Sequence, residues 1–499
     1  MESLTSTGAE RAASTEQPRP HVVLLASPGA GHLIPLAELA RRLVEHHGFA
    51  ATLVTFTDLI SSPEVLSGIP ASVSTAALPS VPLHDLPAAT PIETVLFELV
   101  RRSLPHLRTL LRSAAHLAAL VPDFFCSAAL PLAAELGVPA YVFIPTNLTS
   151  LTVMRRTVDL HDGVPQGEHR DLPDPLELPG GVSLRRADLP HAFQSSHEPV
   201  YAYLLEEGRR YRHADGFLMN TFYEMEPAAV EEFRQATTEG AWPPVFPVGP
   251  FVRSGSDETG ESACIDWLDR QPTGSVVYVS FGSGGSLSVK QTAELAAGLE
   301  ASGHRFLWVV RMPSMDGEVE EDGGDKNNNP LAWLPEGFLE RTRDKGLAVA
   351  AWAPQVRVLS HPATAAFVSH CGWNSTLESV SCGVPMIAWP LYAEQRLNAV
   401  LLEGSVGVAL RVGTRARDAD GDGMVVTRGE IADVVRELME GAEKGRAVRR
   451  QAGDIQQAAA RAWAPEGSSR RALEKVAVTW KAWRGWRGEV TDVPASGER

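Results

Sequence analysis

Short apolar runs alternate with helical patterns along this chain, and the alternation happens twice. In the first half the runs fall at 22–26, 51–56, 73–78, 121–125, 139–143 and 215–219, with helical stretches such as Ile34–His46 between them. Parallel strands are buried on both faces and need a crossover helix to return, so they leave this signature. A Pro/Gly-rich stretch from Trp242 through Pro250 to Gly260 then interrupts the pattern, ending in a polar run, and reads as a linker. The runs resume at 276–281, 306–310, 347–350, 365–368 and 384–387. The expectation is two doubly wound α/β units with a cleft between them. A chain of 499 residues is too long for one ordinary core, which agrees.

Charge narrows the partners. With 45 basic and 61 acidic residues the formal net charge is −16, which argues against nucleic acid and anionic membrane surfaces. No apolar run reaches the roughly 18 residues of a membrane span. The segment Met1–Pro20 is polar and lacks the apolar stretch of a secretory signal, so it is expected to be a disordered leader on a cytoplasmic protein; a monomer is expected. The sequons at Asn147–Thr149 and Asn374–Thr376 are discounted for the same reason. Cys126, Cys264, Cys371 and Cys382 form no CxxC, so neither zinc nor redox chemistry is indicated. Asp418–Gly423 begins like a calcium-binding EF-hand loop, but its twelfth position is Gly429 instead of Glu. It is expected to be a surface loop, and no metal site is expected.

Two strand–turn–helix units carry chemistry. Ser27–His32 follows the first run, and its glycines let backbone approach a ligand closely. His32 falls where α/β sheets place ligands, and an imidazole titrates near neutrality, which suits a general base. Such a base needs an orienting carboxylate. Asp123, at the end of the strand Leu120–Phe125, is the candidate and Asp58 the competitor; Pro122 removes a backbone donor next to Asp123. In the second unit Phe367–Val368 runs into the turn His370–Trp373, and Asn374 and Ser375 are expected to cap a helix. A helix start of this kind favours a phosphate. Glu378 lies one turn beyond Asn374 and could accept from a diol. Trp352 offers a flat face for a base, with Gln355 close by. A dinucleotide fingerprint fails in both halves, because Gly29-x-Gly31 and Gly282-x-Gly284 are followed by Ile34 and Leu287 at the third small position.

The run from Trp352 to Gln395, WAPQVRVLSHPATAAFVSHCGWNSTLESVSCGVPMIAWPLYAEQ, resembles from end to end the signature box of the plant family 1 UDP-glycosyltransferases. SFGSGGSLS and AWPLYAEQ resemble the hydroquinone and monolignol glucosyltransferase subgroup; Ala365-Ala366 replace a Gly-Gly common in the family. The resemblance implies a GT-B fold: two facing Rossmann-like domains, acceptor in the N-terminal one and UDP-sugar in the C-terminal one. The implied boundaries are a leader 1–20, an acceptor domain 21–250, a linker 251–263, a donor domain 264–465, a helix 466–487 returning to the N-terminal domain, and a frayed tail 488–499. Trp480, Trp483 and Trp486 in that helix are expected to be packing residues.

The resemblance also implies roles. His32 in PGAGH aligns with the family's base and Asp123 in PDFFCSAAL with its partner. Ser283, Trp352, Ala353, Gln355, His370, Trp373, Asn374, Ser375, Glu378, Glu394 and Gln395 would bind the UDP-sugar. Gln at the last position of the box goes with glucose and His with galactose. Gly29, Phe124, Phe125, Thr146, Asn147, Leu148 and Tyr392 would line the acceptor pocket, whose aromatic walls suit a flat phenol. The implied reaction is an inverting transfer of glucose from UDP-glucose to a phenolic hydroxyl, with no metal and no bound cofactor. The alternatives are a catalytically silent UDP-sugar-binding protein, or transfer from another UDP-sugar to a non-phenolic acceptor.

Overall fold

The computed structural model describes residues 19–483 apart from 60–68, 166–169, 254–261, 315–328, 414–424 and 442. Most of the proposed leader, most of the linker, the Asp418–Gly423 loop, Trp486 and the tail 488–499 lie outside the described residues.

In the N-terminal half, β1 (His21–Leu25), β2 (Ala50–Phe56), β3 (Ser74–Leu78) and β4 (Leu117–Pro122) form a parallel sheet in the order β3-β2-β1-β4. β5 (Tyr141–Ile144), β8 (Gly216–Met219) and β9 (Val245–Pro247) continue it in the order β5-β8-β9, joined through bridges of Leu120 to Ala140 and Asp123 to Phe143. β6 (Leu176–Leu178) and β7 (Val182–Leu184) are a small antiparallel hairpin. The C-terminal half holds one parallel sheet of β10 (Val276–Ser280), β11 (Arg305–Val310), β12 (Gly346–Ala350), β13 (Thr364–Ser369), β14 (Met386–Ala388) and β15 (Ala409–Arg411), in the order β12-β11-β10-β13-β14-β15. Val22–Leu25 and Val276–Val279 are buried on both faces, as continuous apolar runs in a parallel sheet must be.

Each sheet winds outward one way from its first strand and then the other way. The strand order therefore reverses between β1 and β4 in one half and between β10 and β13 in the other. Crevices open at such reversals, beyond the carboxyl ends of the strands.

Two expectations are corrected. The strand expected to run to Phe125 ends earlier: β4 stops at Pro122, and the Asp123 side chain accepts from Phe125 N and starts the 3-10 helix Phe124–Ala129. Nor is all of Trp242–Gly260 linker, since Val245–Pro247 pairs with β8 as an edge strand and Trp242 is buried; an edge is where a strand tolerates proline.

The helix Ser468–Ala482 packs Leu473, Val476, Ala477 and Trp480 into the core behind the N-terminal sheet, at helical spacing. Trp480 meets Phe49 and Tyr141 edge-on at centroid distances of 6.0 and 5.3 Å. No helix among the described residues is long and apolar enough to cross a membrane.

Candidate active site

At the first reversal, β1 leads into a turn in which Gly29 takes φ 120°, a conformation open to glycine alone at little cost, and the helix Ala30–His47 begins. His32 sits in its first turn. Asp123, just past β4, is fully buried. Its Oδ2 accepts from Ser27 N at 2.8 Å and Ser27 Oγ at 2.6 Å, and lies 3.0 Å from His32 Nδ1. Its Oδ1 accepts from Phe125 N at 3.2 Å. Burial alone would raise the pKa of Asp123, but the hydrogen bond and charge of His32, with Ser27 and Cys126, outweigh it and hold the carboxyl below its ordinary range. An ionised carboxylate only accepts, so His32 Nδ1 is the donor in this pair, an arrangement that in the neutral ring puts the lone pair on Nε2. Asp58 is engaged elsewhere, accepting from Ser80 Oγ and Val81 N.

At the second reversal, β13 ends and the helix Trp373–Cys382 starts at Gly372 with no side-chain cap. Asn374 and Ser375 are thus first-turn residues and not caps, a correction that leaves the first backbone N–H groups open to a ligand. The side chains have other tasks. Asn374 Nδ2 donates across the cleft to Gly31 O at 3.2 Å, and Gln355 Nε2 donates to Ser375 Oγ at 2.9 Å and to Glu378 Oε2 at 2.6 Å. Trp373 Nε1 donates to Asn220 O in the N-terminal half at 2.7 Å. His370 is wedged between two glycines: a Cβ on Gly282 or Gly372 would stand 2.6 or 2.4 Å from its ring. Burial pushes its pKa down to about 4, so the ring is neutral at neutral pH.

A cavity of about 660 Å³ runs between the halves and joins the two sites. On its walls are His32, Gly29, Phe124, Phe125 and Thr146, and from the other half Ser283, Trp352, Ala353, Gln355, His370, Trp373, Asn374, Ser375, Tyr392, Glu394 and Gln395. Trp352 is 66% exposed, its face open to solvent. Gln395 turns its side-chain carbonyl to Leu391 N and Tyr392 N, fixing that loop. Asp123 and Glu378 stand behind the walls, bonded to His32 and Gln355. Thr146 Oγ1, His370 Nδ1 and Asn374 Oδ1 are buried with no protein partner. Among the described residues no group of three His, Cys, Asp or Glu side chains is disposed to hold a metal ion.

Asn147 and Leu148 are off the cavity, correcting their expected acceptor role. Asn147 caps the helix Leu148–Asp162 by accepting from Ser150 N, and Leu148 is buried with its N–H on Glu226. The walls instead include Ser150, Val153 and Met154, which with Thr146 lie at i, i+4, i+7 and i+8; that spacing was visible in the sequence. Glu93, Phe193, Leu204 and Arg311 also line the cavity, brought in by distant elements without a local signal.

Comparison with known proteins agrees with this geometry. The family described as UDP-glucoronosyl and UDP-glucosyl transferase matches residues 257–419. UDP-glycosyltransferase 72B1 of Arabidopsis thaliana is 45% identical over 94% of this chain and 97% of its own. The hydroquinone glucosyltransferase of Rauvolfia serpentina is 42% identical over 93% of this chain and 98% of its own. The structure of Phytolacca americana UGT2 with UDP-2fluoro-glucose and pterostilbene superposes with a TM-score of 0.81 at 40% identity, covering 93% of this chain and 100% of that one. Likeness at this level over nearly the whole length, on top of two Rossmann-like halves sharing one cleft, leaves a single assignment: the chain belongs to the plant UDP-glycosyltransferase family and is an enzyme of the GT-B fold.

Proposed function

We propose that the enzyme transfers glucose from UDP-glucose to a hydroxyl of a small phenolic acceptor, with inversion, giving a β-O-glucoside. The observation that carries this reading is the shared cavity: His32, whose Nδ1 lies 3.0 Å from Asp123, lines the same space as the uncapped helix start at Trp373. The acceptor hydroxyl gives its proton to His32 Nε2, and its oxygen bonds to the sugar's anomeric carbon from the face opposite the diphosphate. The carbon–oxygen bond to the diphosphate breaks, and UDP leaves with that electron pair. Asp123 holds the imidazole tautomer and balances the imidazolium.

The leaving charge falls on the N–H groups of the helix start, on Asn374, Ser375 and Ser283, and on the neutral His370 ring, all held in place beforehand. These donors do the work without a metal. Trp352 stacks the uracil beside Ala353, and Gln355, held from behind the wall by Glu378, meets the ribose diol. Glu394 and the amide NH₂ of Gln395 meet sugar hydroxyls, with Trp373 beside them.

Phe124, Phe125, Val153, Met154, Phe193 and Leu204 give the acceptor side an apolar, aromatic wall, which suits a flat ring. The relative named for hydroquinone, and the neighbour solved with UDP-2fluoro-glucose and pterostilbene, support glucose and a phenol over other pairs.

The test is mass spectrometry of a phenol panel with UDP-glucose and a chelator, with His32→Ala alongside. A hexose added by the native protein and lost in the variant is expected. Transfer that survives in His32→Ala, or that requires added metal, would overturn the mechanism; no product from any phenol would overturn the acceptor class.

A further inference from the structure

Two buried asparagines connect the halves behind the cavity. Asn398 lies in the helix Gln395–Glu403, three residues past Gln395, and Asn147 begins the helix Leu148–Asp162. Both are fully buried. Asn147 Nδ2 donates to Asn398 Oδ1 at 2.5 Å, and Asn398 Nδ2 donates to Cys371 O at 2.8 Å. Cys371 holds φ 65°, a left-handed conformation that a residue with a Cβ adopts only when its surroundings fix it. At the other end Asn147 Oδ1 accepts from Ser150 N at 2.8 Å and Ser150 Oγ at 2.9 Å.

A one-way chain of amides therefore runs from Ser150, on the acceptor wall, to the turn between His370 and the diphosphate-facing helix. Reversing either amide would set donor against donor or acceptor against acceptor, so the chain has one satisfied arrangement.

We propose that the Asn147–Asn398 pair is a positioning device that holds the acceptor wall and the diphosphate turn in register for transfer while touching neither substrate. The inference rests on the functional reading above. If it holds, UDP, which meets the C-terminal half alone, does not sense the pair, whereas transfer between two substrates does.

The test compares wild type, Asn147→Ser, Asn398→Ala and the double variant for UDP affinity by tryptophan fluorescence, for kcat and KM with UDP-glucose and a phenol, and for unfolding temperature. Serine still caps the helix but is too short to reach Asn398. Asn147→Ser is expected to lower kcat about tenfold or more, as small misplacements of reacting groups do, while UDP affinity stays within about threefold. The double variant should fall short of the product of the singles, because both remove the same bond.

An active wild type with kcat unmoved in Asn147→Ser, or losses that multiply fully, would overturn the inference alone. An inactive wild type would overturn the functional reading and the inference with it. Should Asn147→Ser not fold, Asn398→Asp, which accepts from Asn147 but cannot donate to Cys371 O, carries the same expected loss of kcat.

Discussion

Asn374 and Gly31 stand in opposite halves of the molecule, and the Asn374 side-chain amide donates to the Gly31 carbonyl at 3.2 Å. Gly31 immediately precedes His32, so the bond ties the turn that carries the proposed base to the helix start proposed to face the diphosphate. Two helix N-termini, of Ala30–His47 and Trp373–Cys382, thus border one space. Their positive ends both favour negative charge there.

Asn374→Asp tests that relationship. The aspartate cannot donate to Gly31 O and puts a carboxylate where the diphosphate is proposed to lie. UDP affinity and kcat should both fall, together by about a hundredfold or more in kcat/KM, since loss of one such donor alone costs about that in comparable sites. Steady-state kinetics with UDP binding measured separately checks it. Unchanged UDP affinity would place the diphosphate elsewhere.

Asp123→Asn separates chemistry from binding. An amide can receive the Ser27 and Phe125 donors only in part and leaves His32 without a fixed tautomer. kcat should drop by about 10² to 10⁴, the usual contribution of a positioned acid–base pair. The UDP dissociation constant should stay near the native value, because Asp123 touches only the N-terminal turn. Residual activity that rises with pH, as hydroxide or an ionised phenol replaces the base, would agree with the assigned role.

The strands were legible because parallel sheets leave continuous apolar runs, and Val22–Leu25 and Val276–Val279 have no other use. The paired reversals followed from where those runs restart, so His32 and His370 could be placed at strand ends before any contact was known. Asn147 and Leu148 were misplaced because the direction of a side chain at a helix start depends on where the helix begins. Here Asn147 is the cap, which turns Leu148 inward. Ser150, Val153 and Met154 were recoverable from helical spacing, whereas Phe193 and Leu204 reach the cavity through folds of chain that no local pattern encodes. Asn374 and Ser375 looked like caps by residue type, but Gly372 takes that position and frees them to bond Gly31 and Gln355.

Gly372→Ala probes the seat of His370. Gly372 has φ −60°, which any residue adopts, so the substitution carries no backbone penalty of its own. Its Cβ would nevertheless stand 2.4 Å from His370 Nε2, and the buried ring must move. The KM for UDP-glucose should rise about tenfold or more, with a stability loss of about 1–3 kcal/mol typical of overpacking. A native KM would mean that the His370 ring does not help to form the diphosphate site.

His370 also makes a specific pH prediction. Burial lowers its pKa from 6.5 to about 4 in the folded protein. Between those two values the unfolded chain binds a proton at this position that the folded chain does not, so folding stability must fall as pH drops through that window. The contribution is complete above pH 6.5, and the loss levels off below about 4, where the folded ring also protonates. Its full size is on the order of 3 kcal/mol, from about 1.4 kcal/mol per pKa unit. Other groups titrate in the same range, so the useful quantity is a difference. His370→Gln removes this one site, and chemical denaturation of both proteins at several values between pH 7 and 4 gives the two slopes. The variant should start less stable at pH 7, because the wedge between Gly282 and Gly372 is lost, and the gap should narrow steadily as pH falls. A constant gap would mean that His370 is protonated alike in the folded and unfolded chains, and that burial does not hold its pKa below the ordinary value.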